Sequence, residues 1–182
     1  MKGIGTKEIE TERLIMRRMS IDDAEMIYKN WTSDPLTARY VTWDKHENLV
    51  TTKEYVAFKA VNYDDNFFFD WVVELKETGE LIGEIDAVGG SIKDKTVEVG
   101  YCYGSRFWNK GYASEALTAF IKYMFEEVGA EKVFAKHIST NPASGRVMQK
   151  AGMSYDATLK GYVIDKNTGR REDLFCYSID KL

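Results

Sequence analysis

Cysteine, proline and histidine are all scarce in this chain of 182 residues, with two of each. Cys102 and Cys176 form no C-x-x-C pair and the two histidines lie far apart, which argues against a metal site or a secreted disulfide scaffold. A reducing, cytoplasmic setting is expected. No apolar run approaches bilayer-spanning length, and the stretch from Met1 to Arg13 mixes charge with glycine instead of carrying a signal peptide's hydrophobic segment, so no membrane partner is expected. Pro35 and Pro142 are the only prolines and no Gly/Ser-rich linker is present, so nothing marks an internal boundary; residues 1–182 read as a single domain. An excess of basic residues is also missing. Lys and Arg number 25 against 29 Asp and Glu, a formal net charge of -4, which leaves no general field for phosphate backbones and makes nucleic acid an unlikely partner. Neither G-x-x-x-x-G-K-[ST] nor G-x-G-x-x-G occurs, which removes the main support for kinase, GTPase and dehydrogenase readings.

What is present suits one well-filled core: 44% hydrophobic residues, 13% aromatic and 30% charged. A chain this long is expected to bury close to about 70% of the surface it exposes when unfolded. Arg13 to Arg18 alternates apolar and basic residues as a strand does. Ser20 with Asp23 resembles a helix start, followed by Ala24, Ile27, Tyr28 and Trp31 at helical spacing. Asp34 to Asn48 reads as irregular, and a second helix opened by Thr51 or Thr52 carries Tyr55, Val56, Phe58 and Lys59. Phe67 to Leu75, Leu81 to Val88 and Val97 to Tyr103 read as three successive antiparallel strands. An amphipathic helix spans Gly111 to Val128 and stops at Gly129; Lys132 to Ile138 is a strand; a helix opens at Asn141-Pro142 and ends at Gly152; Tyr155 to Ile164 and Asp173 to Ile179 form a final hairpin. The fold class is mixed α/β with seven strands and about four helices.

The chemistry concentrates between Glu98 and Ala116, where a strand passes through Gly104 to Lys110 straight into the N-terminus of the longest amphipathic helix. Amides at such a start have no intrahelical partners, Gly111 and Ala113 keep the main chain approachable, and Lys110 with the helix dipole favours an anion. A pyrophosphate fits that description, although a glycine before a helix is also common as a plain turn.

The segment Trp108-Asn-Lys-Gly-Tyr-Ala-Ser-Glu-Ala resembles the coenzyme-A pyrophosphate loop of the GNAT N-acetyltransferase superfamily, in its RimJ/RimL-type branch of ribosomal-protein alanine N-acetyltransferases. Asn109 stands where glycine is usual. Thr11-Glu-Arg-Leu-Ile-Met-Arg, Leu81-Ile-Gly and Asn141-Pro-Ala-Ser-Gly-Arg-Val-Met-Gln-Lys-Ala-Gly-Met match further family segments, in the family's order and across nearly the whole length.

The resemblance implies a mostly antiparallel sheet that splays between its fourth and fifth strands, with acetyl-coenzyme A as donor and no metal. The pantetheine arm would lie along Tyr101, Cys102 and Tyr103, and the pyrophosphate on the amides of Trp108, Asn109, Lys110, Gly111, Tyr112, Ala113 and Ser114. Glu98 aligns with the family's general base; its other reading is an ordinary ion pair. The tyrosine that many members use on the leaving thiolate is Met148 here, and the ribosomal branch's serine is Ser144. Asn141 reads as a helix cap or a pantetheine contact, Arg146, Lys150 and Arg106 as phosphate contacts or solvated charges, and Cys102 as a buried hydrophobe more than a nucleophile. The acid some relatives place in the strand after the last helix falls at Val163, leaving only Asp165 or Asp156 nearby. Trp31, Tyr40 and Trp43 would line the acceptor side, with Asp34, Asp44, Asp70, Glu84 and Asp86 as possible amine-recognising acids. The expected activity is direct acetyl transfer to a primary amine, a protein N-terminus or a small molecule, by a monomer or homodimer; a coenzyme-binding sensor without turnover is the alternative.

Overall fold

The computed structural model describes residues 1–182. Its strands are β1 (Ile9–Glu10), β2 (Leu14–Arg17), β3 (Asp70–Leu75), β4 (Leu81–Ser91), β5 (Thr96–Tyr103), β6 (Lys132–Ile138), β7 (Ser154–Ile164) and β8 (Arg171–Asp180). They form one sheet in the order β1-β2-β3-β4-β5-β6-β8-β7, antiparallel throughout except where β5 meets β6. The helices are α1 (Ala24–Ile27), α2 (Pro35–Ala38), α3 (Leu49–Asn62), α4 (Tyr112–Tyr123) and α5 (Pro142–Lys150), with a 3₁₀ turn at Ile21–Asp23 leading into α1 and π-type turns at Tyr28–Thr32 and Met124–Val128.

Side-chain caps explain most helix starts. Ser20 accepts from the Asp22 amide while Asp23 accepts from the Ser20 amide, a reciprocal capping box. Asp34 caps α2, which forms within a stretch expected to be irregular. Asn48 caps α3 by accepting from the Thr51 amide, so that helix begins before the threonines expected to open it. Asn141 caps α5, with Pro142 in its first turn.

Two counts and several boundaries differ from the sequence expectation. The sheet has eight strands, because the two-residue β1 pairs with β2. There are five α-helices. The third strand starts at Asp70 instead of Phe67. The long helix starts at Tyr112 and loosens into a π turn at Met124 before the left-handed Gly129 ends it.

The larger core lies under α4 and α5, where Trp71, Ile85, Leu117, Phe120, Met124 and Met148 are fully buried or nearly so. A smaller one lies under α1 and α3, built from Ile27, Trp31, Val56, Val72, Leu81 and Cys102. The feature that positions a site is the limited contact of β5 with β6. Only Thr96, Val97 and Glu98 pair, with Lys132, Val133 and Phe134. Beyond that point β5 pairs with β4 alone and β6 with β8 alone. The edge of β5 from Val99 to Tyr103 is therefore open, as the expected splay requires, and backbone groups on an open edge need partners.

Candidate functional site

From Asn109 to Ser114 no backbone amide donates to any acceptor in the chain. The chain gets there through a 3₁₀ turn at Ser105–Phe107, after which the Trp108 indole N–H donates to the Tyr103 carbonyl at 2.7 Å and ties the loop back to β5. Asn109 has φ +61° and Gly111 φ +83°, both left-handed. Asparagine is the side chain that tolerates this region best after glycine, so the departure from glycine at Asn109 leaves the backbone path intact. A turn of this kind gathers successive N–H groups at the start of a twelve-residue helix, where the dipole adds a positive end.

A clamp that the sequence reading did not assign holds the loop in place. Arg13 donates from Nη1 to the Lys110 carbonyl at 3.0 Å and from Nε to Glu115 at 2.7 Å, and its guanidinium lies over the Tyr112 ring at 4.6 Å. Glu115 also accepts from the Thr11 hydroxyl at 2.6 Å and from the Arg13 amide at 2.9 Å. These donors hold the Glu115 carboxyl below its ordinary range, although partial burial opposes them. Thr11 and Arg13 belong to a segment already singled out, but nothing local in it shows that its partner lies a hundred residues away.

The open edge meets α5 through one contact: the Tyr101 hydroxyl lies 2.8 Å from the Ser144 hydroxyl and also donates to the Ser144 carbonyl at 3.1 Å. Two residues chosen for different reasons are thus brought together across the splay. Burial pushes the Tyr101 phenol upward, so it stays protonated. Asn141 reaches the Ser144 amide at 3.4 Å, and its capping reading holds. Arg146, on the exposed side of α5, makes no ion pair.

Several expectations resolve as structure. Met148 is core. Arg106 is bound to Glu80 and to the Asn30 side chain, a structural pairing that occupies its guanidinium. Cys102 is buried and donates to Glu84 at 3.5 Å; burial, with Glu84 beside it, holds the thiol protonated and inert. Tyr103 points into the larger core. Trp31 is fully buried and lines no cleft. Asp165 accepts the Asn167 and Thr168 amides inside the β7–β8 turn, and Asp34 accepts from Leu36 and Ser105, so neither acid is available. Glu98 stands where β5 leaves β6, its side chain 24% exposed, and forms an ion pair with Lys136 at 3.0 Å.

On the α3 side of the sheet a cluster of ionisable groups is held below the surface. Lys59 of α3 reaches Asp70 of β3 and, at 3.3 Å, Asp86 of β4. Asp70 also accepts from Tyr63 at 2.9 Å, and Glu84 of β4 accepts from Tyr55 and Cys102. Burial raises the carboxyls of Glu84 and Asp86, the latter to about 7, against the pull of Lys59; Lys59 in turn is held charged because the three acids outweigh its own burial. His46 packs against Tyr55 and Trp43 against His46, and Lys166 of the β7–β8 turn bonds the Trp43 carbonyl and Asp44, so the loop sits across this face.

A sheet opened between parallel neighbours, followed by a cradle of unbonded amides at a helix start, is the architecture of an acyl-coenzyme-A acyltransferase. Residues 13–154 match the family model described as an acetyltransferase (GNAT) domain, and the chain belongs to that family. It is accordingly an acetyl-coenzyme-A-dependent N-acetyltransferase. It is 30% identical over 173 residues to the uncharacterized N-acetyltransferase YoaA of Bacillus subtilis, which covers 95% of this chain and 96% of YoaA. The crystal structure of a GNAT-family acetyltransferase from Bacillus anthracis superposes with a TM-score of 0.82 at 28% identity, over 96% of this chain and 98% of that one. RimL, a ribosomal α-N-protein acetyltransferase in complex with coenzyme A, shares the fold at 14% identity, with a TM-score of 0.84 over 96% of this chain and 98% of its own.

Proposed function

We propose that this protein transfers the acetyl group of acetyl-coenzyme A directly to a primary amine within a ternary complex, with no acyl-enzyme intermediate. The observation that carries this reading is the run of six unbonded amides, Asn109 to Ser114, placed at the end of an open strand edge. The pyrophosphate rests on those amides, with Lys110 adding charge, and the pantetheine arm pairs with β5 between Val99 and Tyr103 as an added strand would. RimL, bound to coenzyme A in its own crystal, supports the same use of this fold.

The acceptor amine must lose a proton before it attacks the thioester carbonyl, since primary amines are mostly protonated at neutral pH. That proton leaves on the α3 side of the sheet, where Glu98 shares the surface with Asp86. As the carbon–sulfur bond breaks, the Ser144 hydroxyl, bonded to Tyr101, donates toward the departing thiolate and the second nitrogen proton follows to sulfur. Trp43 and Tyr40 border the acceptor entrance. The acceptor is a protein N-terminus or a small amine.

The test is calorimetry with acetyl-coenzyme A, followed by a thiol-release screen over N-terminal peptides and small amines. Binding with acceptor-dependent thiol release is expected. Binding without release under any acceptor overturns transfer in favour of a coenzyme sensor, and no binding overturns both.

A further inference from the structure

The buried lysine–carboxylate cluster beneath α3 is more elaborate than a fold of this size needs. One lysine faces three carboxylates, and the three are not equally satisfied. Asp70, with no exposed surface, has Lys59 and the Tyr63 hydroxyl. Glu84 has the Tyr55 hydroxyl and the Cys102 thiol. Asp86 has a single bond, to Lys59 at 3.3 Å, and its side chain is the one of the three that opens toward solvent, at 23% exposure. Its strand partner is Gly100, the second residue of the open β5 edge. The carboxylate lies directly over that glycine: a β-carbon there would come 3.2 Å from Asp86 Oδ1 and 2.6 Å from Val88 Cγ1. Glycine at this position therefore lets an under-bonded carboxylate stand against the strand that receives the thioester. Glu98, by comparison, already holds a full ion pair with Lys136.

We infer that Asp86, steadied by Lys59 and laid over Gly100, accepts the proton of the acceptor ammonium, and that Lys59 acts as its positioning residue. This rests on the acetyl-transfer reading above. The balance is simple: R–NH₃⁺ gives one proton to the Asp86 carboxylate, the neutral amine nitrogen bonds the acetyl carbon, the carbon–sulfur bond breaks, and the remaining nitrogen proton passes to sulfur, leaving amide and thiol. Asp86 returns its proton to water through its exposed oxygen. Burial raises its proton affinity, Glu84 of β4 and Asp70 of β3 add to the rise and Lys59 of α3 opposes it; the other titratable groups around the cluster are Tyr55 and Tyr63 from α3 and its end, and Cys102 with the Glu98–Lys136 pair from β5 and β6. Burial, with Lys59 pulling the other way, leaves its carboxyl near neutral pH, where a base serving an amine works best.

The experiment is a pH profile of thiol release from acetyl-coenzyme A, with an alanine-initiated peptide, a serine-initiated peptide and a linear diamine as acceptors. Asp86→Asn is expected to lower kcat by about 100-fold or more, to abolish the acidic limb near pH 7, and to leave the coenzyme Kd unchanged by calorimetry. Glu98→Gln leaves the limb in place. Lys59→Gln moves it upward, since the cation that favours the carboxylate is gone. A carbon-13 titration of the aspartate carboxyls needs no acceptor and checks the same group; circular dichroism confirms that each variant is folded. Two results overturn the inference while the acetyl-transfer reading stands: the limb and rate of Asp86→Asn matching the parent, or Asp86 titrating with ordinary aspartates near 4. A parent that does not bind acetyl-coenzyme A fails the acetyl-transfer reading instead, and the carboxyl titration still reports on Asp86.

Discussion

Gly111 occupies a backbone conformation, φ +83°, that branched side chains scarcely tolerate, and it does so inside the amide cradle. Gly111→Val is expected to weaken acetyl-coenzyme A binding by at least about tenfold, the effect of roughly 1.4 kcal/mol; calorimetry showing the parent Kd removes the loop from the binding site. Asp86 carries a second residue-level consequence. Its carboxyl is raised from 3.8 to about 7, chiefly by burial, so the fold retains a proton that the unfolded chain releases. The stability this group contributes is full below about pH 4 and is lost as pH rises to about 7. The stability difference between Asp86→Asn and the parent should therefore shift in the variant's favour across that window, by roughly 1–3 kcal/mol. Urea unfolding at both ends of the window measures it, and a constant difference contradicts the raised carboxyl. Gly111 was legible because its role is local. Lys59 was not: it repeats with Thr52 and Val56 on the buried face of α3, and its acids lie on strands whose register the helix does not reveal.

At the level of elements, the junction between β2 and α4 is built by Arg13, which joins the Lys110 carbonyl to the Glu115 carboxylate. Arg13→Ala frees the start of α4 and should weaken coenzyme binding roughly tenfold, about the worth of one charge-assisted hydrogen bond, while far-UV circular dichroism stays that of the parent. A coenzyme Kd within twofold of the parent would make the clamp irrelevant to the cradle. The strands show why alternation alone could not assign the acids. β4 shifts register between Val73 and Glu74 of its neighbour, so Ile82 and Ile85 both reach the larger core, while Glu84 and Asp86 turn toward α3. An inserted residue flips everything after it to the other face, and its position follows from pairing, not from composition. The helix starts at Ser20 and Asn141 were readable from a cap residue before an apolar repeat, but those at Asp34 and Asn48 were not: the sequence placed the α3 start at Thr51 or Thr52, and only the fold shows that the Asn48 side chain reaches the free Thr51 amide.

Across the whole molecule, the open β5 edge and the unbonded amides at the start of α4 belong to one sheet-and-helix scaffold, so a coenzyme bound as proposed would link β5 to α4 and α5. Saturation with acetyl-coenzyme A at about a hundredfold excess over Kd should stabilise the protein by about 2.7 kcal/mol, raising Tm by roughly 5–10 °C for a chain of this size. A scanning-fluorimetry shift close to zero at that excess speaks against a folded, preformed site. Most of the element order, the glycine-bearing start of the long helix and the family were legible in the linear sequence, because each depends on residues within a turn or two of one another. The opening of β5 from β6, the Tyr101–Ser144 contact, the Arg13 clamp and the Lys59 cluster were decided only by the tertiary structure. They join residues far apart in the chain, and the burial that shifts their charges exists only once the sheet and helices have closed around them.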